Sequence, residues 1–582
     1  MMNVPSAAPG LRLLPAGDAV LVELADLPQT LGLLASLQAE PVAGLVEIVP
    51  GARTLLLTLD PWVLTREALA AELARRPLDM RSAQAGPRVD IPVFYDGEDL
   101  AEVATLLKIT PAEVVRRHTG SDWFVAFTGF APGFAYLTGG DELLRQLPRR
   151  ASPRTRIPPG AVAAAGGFSG VYPKASPGGW RLLGQTPLSM WDLQRNPPAL
   201  LQPGQRVRFV DAGPRLGVLP PEVASQDAMA AAVRTLDLPA RPAVPNGIGP
   251  DAPFATAAAT PTATVNPVIR DAPSEAQQGP GIEIRNAGLQ SLLQDLGRPG
   301  QAGQGVAASG AMDRGSLKAA NRLVGNLPAA ACIEVALGGF ELVSQGDIVV
   351  AVTGAEGPLT LIAPDGRRLP LDRHTPQALS HGDRLLIGDP TTGVRSYVAL
   401  RGGVALPSVL GSLSYDSLAD VGPAPLQAGD RLLLNSAPAG AVVGHPEPPQ
   451  AAWPRAGDEV TLDIRLGPRT DWFTAEAVET LTAQTWTVTP QSNRVGLRVQ
   501  GARPLARAIT AELPSEGTAR GAIQVPASGQ PVLFLADHPL TGGYPVIACI
   551  APWHLDLAGQ MPVGTRVRLH VVAGFEPVVV PR

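Results

Sequence analysis

Three lysines, two cysteines and seven histidines bound the covalent and metal chemistry open to this chain of 582 residues. The lysines are Lys108, Lys174 and Lys318; none follows a glycine, so there is no G-x-x-x-x-G-K-[ST] phosphate loop. Cys332 and Cys549 sit in apolar, β-like runs (AACIEVAL and PVIACIAP), which predicts buried thiols rather than a disulfide or a nucleophile. The histidines are dispersed without H-x-H or H-E-x-x-H spacing, so no metal site is expected. Spacing assigns no Ser-His-Asp grouping and no G-x-S-x-G elbow. What remains is chemistry carried by arginines, carboxylates, backbone amides and aromatic rings on glycine-rich loops.

The first such loop, FTGFAPGFAYLTGG (127–140), continues from the strand-like WFVAF. Phe130, Pro132, Gly133, Phe134 and Tyr136 set rings beside turning backbone, a combination suited to a flat or carboxylate-bearing ligand. Four arginines in a proline-rich frame follow (PRRASPRTRIPPG, 148–160), and then YPKASPGGW (172–180). A guanidinium fork matches carboxylate or phosphate. Arg154, Lys174 and the Gly178-Gly179 turn are therefore candidate anion contacts, with Tyr172, Ser176 and Trp180 beside them. Solvated charge on rigid loops is the competing reading. His118 ends the helix that Thr110-Pro-Ala-Glu113 should open with a capping box. It is either an acid–base or orienting group, or an imidazolium complementing the helix dipole.

Later in the chain, LQSLLQDLGRPG (289–300) carries Gln294, Asp295 and Arg298, and GVAASGAMDR (305–314) carries Ser309 and Asp313. A helix should follow, with Leu317, Ala320 and Val324 on one face and Gly325 past its end. Asp313 reads as a helix N-terminal charge or as a ligand contact. Glu516, Gln524 and ADHPLTGGYP (536–545) add carboxylates, an amide and a histidine. Adjacent Asp537 and His538 would face opposite sides of a strand and are no ready pair. Spacing does not decide whether these groups meet.

The elements that must position these loops are mostly strands. Glycine and proline, 62 and 61 residues, punctuate short apolar runs as in β barrels or sandwiches. A turn glycine followed by a strand recurs as GQRVRF (204–209), GDRLLI (382–387), GDRLLL (429–434) and GTRVRL (564–569), and GVYP (170–173) echoes GGYP (542–545). Two bodies sharing an ancestral barrel follow from those echoes. Residues 10–88 differ: AVLVELA and TLLLTLD read as strands, 28–39 and 65–76 as helices, the second with Leu64, Ala68, Ala71 and Leu73 on one side, a small α+β domain. A barrel over 89–212 follows, then a linker over 213–280, proline- and alanine-rich from 238, which lacks the apolar periodicity of a core. The second body divides into 281–437 and 438–582.

A net charge of −5 without a basic cluster argues against nucleic acid as partner. No apolar run approaches the roughly 20 residues of a membrane helix, and MMNVPSAAPG lacks the order of a secretory signal, so a cytoplasmic location is expected.

On its phrases the sequence resembles a known family. YDGEDLAEVA, EVVRRH, GFAPGFAYL, PRRASPRTRIPPGAVA, GVYPKASPGGW and LLQPGQRVRF resemble allophanate hydrolase subunit 1, the B subunit of 5-oxoprolinase and KipI. LQDLGRPGQAGQGVAASGAMDRGSLKAANRLVGN, ALRGG, VLGS, GAIQVPASGQP and DHPLTGGYP resemble the companion subunit 2, also the C subunit of 5-oxoprolinase or KipA. The resemblance implies a mainly β fold with α+β parts: cyclophilin-like barrels in both bodies and a small α+β N-terminal domain. It implies a bacterial fusion protein working as the B–C part of an ATP-dependent 5-oxoprolinase, with Mg2+ as the counter-ion of ATP. A separate LamB/YcsF-like A subunit is the expected partner, and a homo-oligomer is compatible with the family. The binding phrases then include Asn321, Glu516, Gln524, Asp537, Thr541, Gly542, Gly543 and Tyr544, with His118, Arg154 and Lys174 as catalytic candidates. The same modules in urea carboxylase imply an alternative, carboxyl transfer from carboxybiotin. The three lysines lie in LLKIT, YPKAS and SLKAA, not Ala-Met-Lys-Met, so this chain is expected to carry no biotin itself. A further alternative is a non-enzymatic regulator of a histidine kinase. The chain departs from the family phrases at Phe168-Ser169-Gly170, at Ser492-Asn493-Arg494-Val495-Gly496 and at 537–541.

Overall fold

The computed structural model describes residues 10–78, 86–150, 152–214 and 279–581. The interval expected as a linker falls, from 215 to 278, outside the described residues. Strands predominate, in barrel-like sheets. No helix among the described residues is long and apolar enough to cross a membrane.

The N-terminal sheet runs in the order Leu45–Pro50, Thr54–Leu59, Ala19–Glu23, Gly10–Ala16, Val578–Pro581. Helices Leu27–Ala39 and Arg66–Arg75 start at Asp26 and Thr65, whose side chains accept from the Gln29 and Ala68 amides. Alternation puts Leu11, Leu13, Val20, Val22, Leu55 and Leu57 against the helices. The second helix turns Leu69 and Leu73 inward and leaves Ala68 and Ala71 exposed, correcting the expected face: a leucine gains more than an alanine from burial. The opposite sheet face, with Leu14, Ala16, Leu21 and Leu56, packs on Ala302 and Leu540 of the second body. A Cβ on Gly517 would sit 2.7 Å from Leu56 Cβ, so this contact needs glycine. Val578–Pro581 pairs antiparallel with Gly10–Ala16, Leu13 opposite Val578. The range 438–582 is therefore not one barrel; its last strand completes the N-terminal sheet.

The first barrel has the strand order Arg181–Gln185, Ala161–Ala165, Phe168–Val171, Ala135–Gly139, Trp123–Thr128, Arg206–Asp211, Arg88–Val93, and a bridge from Phe94 to Gln185 joins its edges. The second body ends in a closed barrel of matching order: Val546–Ile550, Ala522–Gln524, Val532–Phe534, Gly496–Gln500, Trp486–Val488, Arg566–Ala573, Glu459–Leu466. In both, the strand that comes first in the chain, Arg88–Val93 or Glu459–Leu466, lies parallel to the one that comes last, Arg206–Asp211 or Arg566–Ala573. That last strand comes from the repeated phrase, and its turn glycines, Gly204 and Gly564, take φ of 85° and 89°, a region strained for other residues. The other two copies supply Arg384–Ile387 and Arg431–Leu433, in a six-stranded sheet that shares a core with a five-stranded one over residues 281–433.

Helix Arg314–Val324 buries Leu317, Ala320 and Val324 and ends on left-handed Gly325, as its spacing predicts. Helix Pro111–Thr119 forms half of its expected capping box. Thr110 accepts from the Glu113 amide, but the Glu113 carboxylate turns to Arg116 and Arg117, which offer charged donors.

Candidate functional site at the junction of the two bodies

The glycine-rich loop after Trp123–Thr128 turns through left-handed backbone at Phe130 (φ 64°) and Gly133 (φ 76°). A Cβ at Gly133 would stand 2.8 Å from the Met190 carbonyl, and a phenylalanine at positive φ is held only by its surroundings. Part of those surroundings belongs to the second body. The Phe130 amide donates to Thr541 Oγ1 (3.0 Å), the Gly133 amide to the Gln304 carbonyl (3.0 Å), and Thr128 Oγ1 to the Ala302 carbonyl (2.8 Å). The Phe130 and Gly133 amides, in the loop expected to face a ligand, are thus engaged across the junction. Pro132 is buried with them. Beneath, Phe134, Tyr136, Tyr172 and Trp180 form an edge-to-face aromatic floor. Tyr136 OH reaches Ser515 Oγ at 3.2 Å, and burial pushes the Tyr172 phenol well above its usual range.

Facing this loop, the ribbon of Glu516–Gly517 with Thr541–Gly542 carries the second half of the site. Gly542 approaches the Gln524 amide so closely that a Cβ would sit 2.7 Å from Nε2, which donates to the Tyr544 carbonyl. Tyr544 is 42% exposed, and the Arg507 guanidinium lies over its ring at 5.5 Å. Arg149, from the arginine-rich loop, pairs with Glu512 at 2.7 Å and stands against Gly543. Glu516 is buried. Burial raises its pKa while Arg469, donating twice to Oε2, opposes that, and Oε1 has no hydrogen-bond partner among the described residues. Arg469 also holds Glu23 of the N-terminal sheet, so three segments converge there.

Lys174 crosses the same junction: its ammonium donates to the Leu418 carbonyl. Burial lowers its pKa, against the pull of Asp420 and Asp416. Buried Asp416 is pushed up to about 6, by burial first and then by Asp537. Burial also acts against the Asp537 charge, but Arg494, clasping both carboxylate oxygens (2.8 and 2.9 Å), holds its pKa below the usual range. Ser309 and Ser417 donate to Asp537 as well, and Arg494 continues to Glu334, which accepts from Tyr397 OH.

Other sequence candidates have structural roles. His118 is fully buried, stacked 4.2 Å from Phe209, with Nδ1 at Tyr95 OH (2.8 Å) and Nε2 at Ser169 Oγ (2.9 Å). Burial pushes its pKa down to about 3, which corrects both expectations: it is neither a solvent-facing acid–base group nor an imidazolium at the helix end. Arg154 clasps Asp99 with two 2.8 Å bonds and reaches Glu98 at 3.0 Å, so as an anion contact it is corrected to a pin between the Arg154–Ile157 ribbon and helix Leu100–Leu107. In that ribbon Gly178 pairs with Arg154, Gly179 accepts from the Arg150 amide, and Ser176 Oγ bonds the Lys174 carbonyl.

The remaining candidates fall in the second body. Asp295 gathers Ser412, Leu413, Ser414 and Gly297. Gln294 and Arg298 tie to carbonyls of 409–415, and Asn321 to Ala330. Asp313 caps its helix through Ser316 and accepts from Gln560; burial and then Asp556 raise it to about 6. Asp416, Glu334 and Arg469 escaped sequence reasoning. Glu334 had a signal: a carboxylate inside an apolar strand requires a buried partner.

Two barrels of one strand order, meeting at a glycine-rich junction, define a two-body β protein of the carboxyltransferase-domain class. The carboxyltransferase domain, subdomains A and B, matches residues 304–571, and subdomains C and D match residues 11–201. The chain is 37% identical to the 5-oxoprolinase B subunit of Bacillus subtilis (strain 168) over 191 residues, 30% of this chain and 79% of that protein. It is 34% identical to the 5-oxoprolinase C subunit of Escherichia coli (strain K12) over 289 residues, 49% of this chain and 88% of that protein. The crystal structure of TTHA0988 is similar across both bodies, with 31% identity and a TM-score of 0.73, over 95% of this chain and 99% of that one. The chain belongs to the family of the 5-oxoprolinase B and C subunits, with the two parts fused.

Proposed function

We propose that this chain is the combined B and C component of an ATP-dependent 5-oxoprolinase, opening 5-oxo-L-proline to L-glutamate with a separate LamB/YcsF-like A subunit. The observation carrying this reading is the hydrogen bond from Phe130 to Thr541, which joins phrases of the B-like and C-like parts at one junction. A lactam carbonyl is a poor electrophile, and phosphorylating its oxygen supplies a leaving group. Such chemistry calls for cations and oriented amides rather than a thiol, and burial pushes both Cys332 and Cys549 far above the thiolate range. Lys174, Arg149 and the half-exposed Gly542-Gly543 backbone are the groups suited to the phosphates of ATP. In this reading Mg2+ arrives on the nucleotide as its counter-ion, held by phosphate oxygens.

The test is glutamate release from 5-oxo-L-proline and ATP by the purified chain, with and without its A subunit. Turnover is expected only with both. Turnover by the chain alone, or none from the pair, contradicts the proposal. The carboxyltransferase-domain match favours a second reading, acceptance of the carboxyl group of carboxybiotin from another chain, which an assay with free carboxybiotin distinguishes.

A further inference from the structure

Two carboxylates from the two halves of the second body, the sheets over 281–433 and the closed barrel, meet at one helix end. Asp313 caps helix Arg314–Val324: its Oδ1 accepts from the Ser316 amide (2.8 Å) and its Oδ2 from Ser316 Oγ (2.5 Å). Asp556, on the short helix Leu555–Gly559 of the barrel half, takes the Arg314 and Gly315 amides of the same turn, both at 2.9 Å. Gly315 lies between the two acids. A Cβ there would sit 3.0 Å from Asp556 Oδ2 and 3.5 Å from Asp313 Oδ1, so both carboxylates border the same small space. Around them the halves interlock. Gln560 Oε1 accepts from the Val394 and Arg395 amides (2.9 and 2.8 Å), while its Nε2 donates to Asp313 Oδ2 (2.8 Å). A Cβ on Gly559 would stand 2.7 Å from the Met312 carbonyl oxygen, so this approach needs glycine.

Asp313 is fully buried, and every hydrogen-bond partner of the two carboxylates among the described residues is an uncharged amide or hydroxyl. The charged and titratable groups packed around Asp313 are engaged elsewhere. Tyr397 OH takes the Asp313 amide and donates to Glu334, and Arg395 donates to the Gly559 carbonyl. Arg494 holds Asp537, Glu334 and the Gly310 carbonyl, and Arg520 holds the Met312 carbonyl. Arg314, on the helix itself, acts on Asp556 without an ion pair. Two negative charges in one dry space are costly, and a single proton removes the cost. We propose that Asp313 and Asp556 form a proton-operated latch between the two halves of the second body, closed while Asp313 is protonated and loosened when both acids are ionised. Burial and then Asp556 raise the pKa of Asp313 to about 6. Its contact with Ser316 Oγ serves either direction of donation, so that bond survives protonation. One segment carries the latch to the junction: Ser309 donates to Asp537, the Gly310 carbonyl accepts from Arg494, and the Met312 amide donates to Glu334. Closure steadies the wall that holds Asp537, whatever reaction the junction performs.

A solvated aspartate binds its proton near ~3.9, so the closed latch holds the proton more tightly than the open one. Closure is therefore favoured in full below about pH 4, and the advantage is lost as pH rises through about 6. The test is amide hydrogen exchange of the full chain, read on peptides containing Arg314 and Gly315 and corrected for the intrinsic rate at each pH. Opening should be about tenfold more frequent at pH 7 than at pH 5. Asp313→Asn should abolish that difference, whereas a difference arising at Asp416 or any other acid would persist in it. Asp556→Asn removes the second charge and should move the transition to lower pH, which keeps the latch testable where Asp313→Asn does not fold. Equal opening of the wild type at pH 5 and pH 7, a persisting difference in folded Asp313→Asn, or an unmoved transition in Asp556→Asn overturns the latch.

Discussion

The two barrels share one strand order but differ in what they bury. Each has a helix capped by a threonine, Thr110 or Thr474, and then a tryptophan whose indole donates to the carbonyl five residues earlier: Trp123 to His118, Trp486 to Leu481. His118 therefore stands where the second barrel has leucine, which places it as a core residue with two hydrogen bonds. The ribbons also correspond: Arg154–Ile157 with Ser176–Gly178 in one, Glu516–Gly517 with Thr541–Gly542 in the other. The residues that follow the ribbons, Gly178-Gly179-Trp180 and Gly542-Gly543-Tyr544, part company, since Trp180 is sealed in the aromatic floor while Tyr544 is open at the rim. One scaffold thus yields an aromatic floor on one side and an ionic, partly open wall on the other, and their junction is the candidate site.

The sharpest way to break this contrast is Arg494→Met. It strands Asp537 and Glu334 as buried carboxylates, and about 3–5 kcal/mol should be lost from the second body, read by urea unfolding. His118 gives the next largest effect. Its folded pKa of about 3 lies below the unfolded ~6.5, so the unfolded state binds the proton more readily between those values. Stability is full above pH 6.5 and falls with acidification, by about 2 kcal/mol at pH 5. His118→Leu should abolish that slope while costing about 1–3 kcal/mol at neutral pH, because Tyr95 and Ser169 lose their partner. An unchanged slope in the variant would remove His118 as its source. The smallest effect belongs to Arg154→Ala. Asp99 keeps Arg150 and the Leu182 amide, so a loss of about 1 kcal/mol in thermal unfolding is expected, with turnover per folded molecule unchanged.

Much of the scaffold was legible because turn glycines and apolar runs are local signals. The repeated glycine–strand phrase marked strands in both bodies, whereas GVYP precedes and GGYP follows its ribbon strand, so that echo did not mark equivalent positions. The strand Val578–Pro581 was not assignable, since nothing in its own residues says that its partner is Gly10–Ala16. The site was legible as loops but not as roles. An arginine in a proline-rich loop reads the same whether it meets a ligand or Asp99, and a histidine at a helix end does not announce a ring of Phe209, Tyr95 and Ser169 around it. Family phrases drew attention to Thr541 and Lys174, whereas Asp416 acquires its character only from long-range burial and the charge on Asp537.

The central claim, that the junction does the chemistry, is tested most directly at Lys174. ATP-dependent glutamate release should be measured for the wild type and Lys174→Met, each in the presence of the A subunit, together with the melting temperature of each. Loss of a charge-assisted contact predicts a fall in kcat of about tenfold to a hundredfold at unchanged melting temperature. Wild-type turnover in folded Lys174→Met would contradict the account.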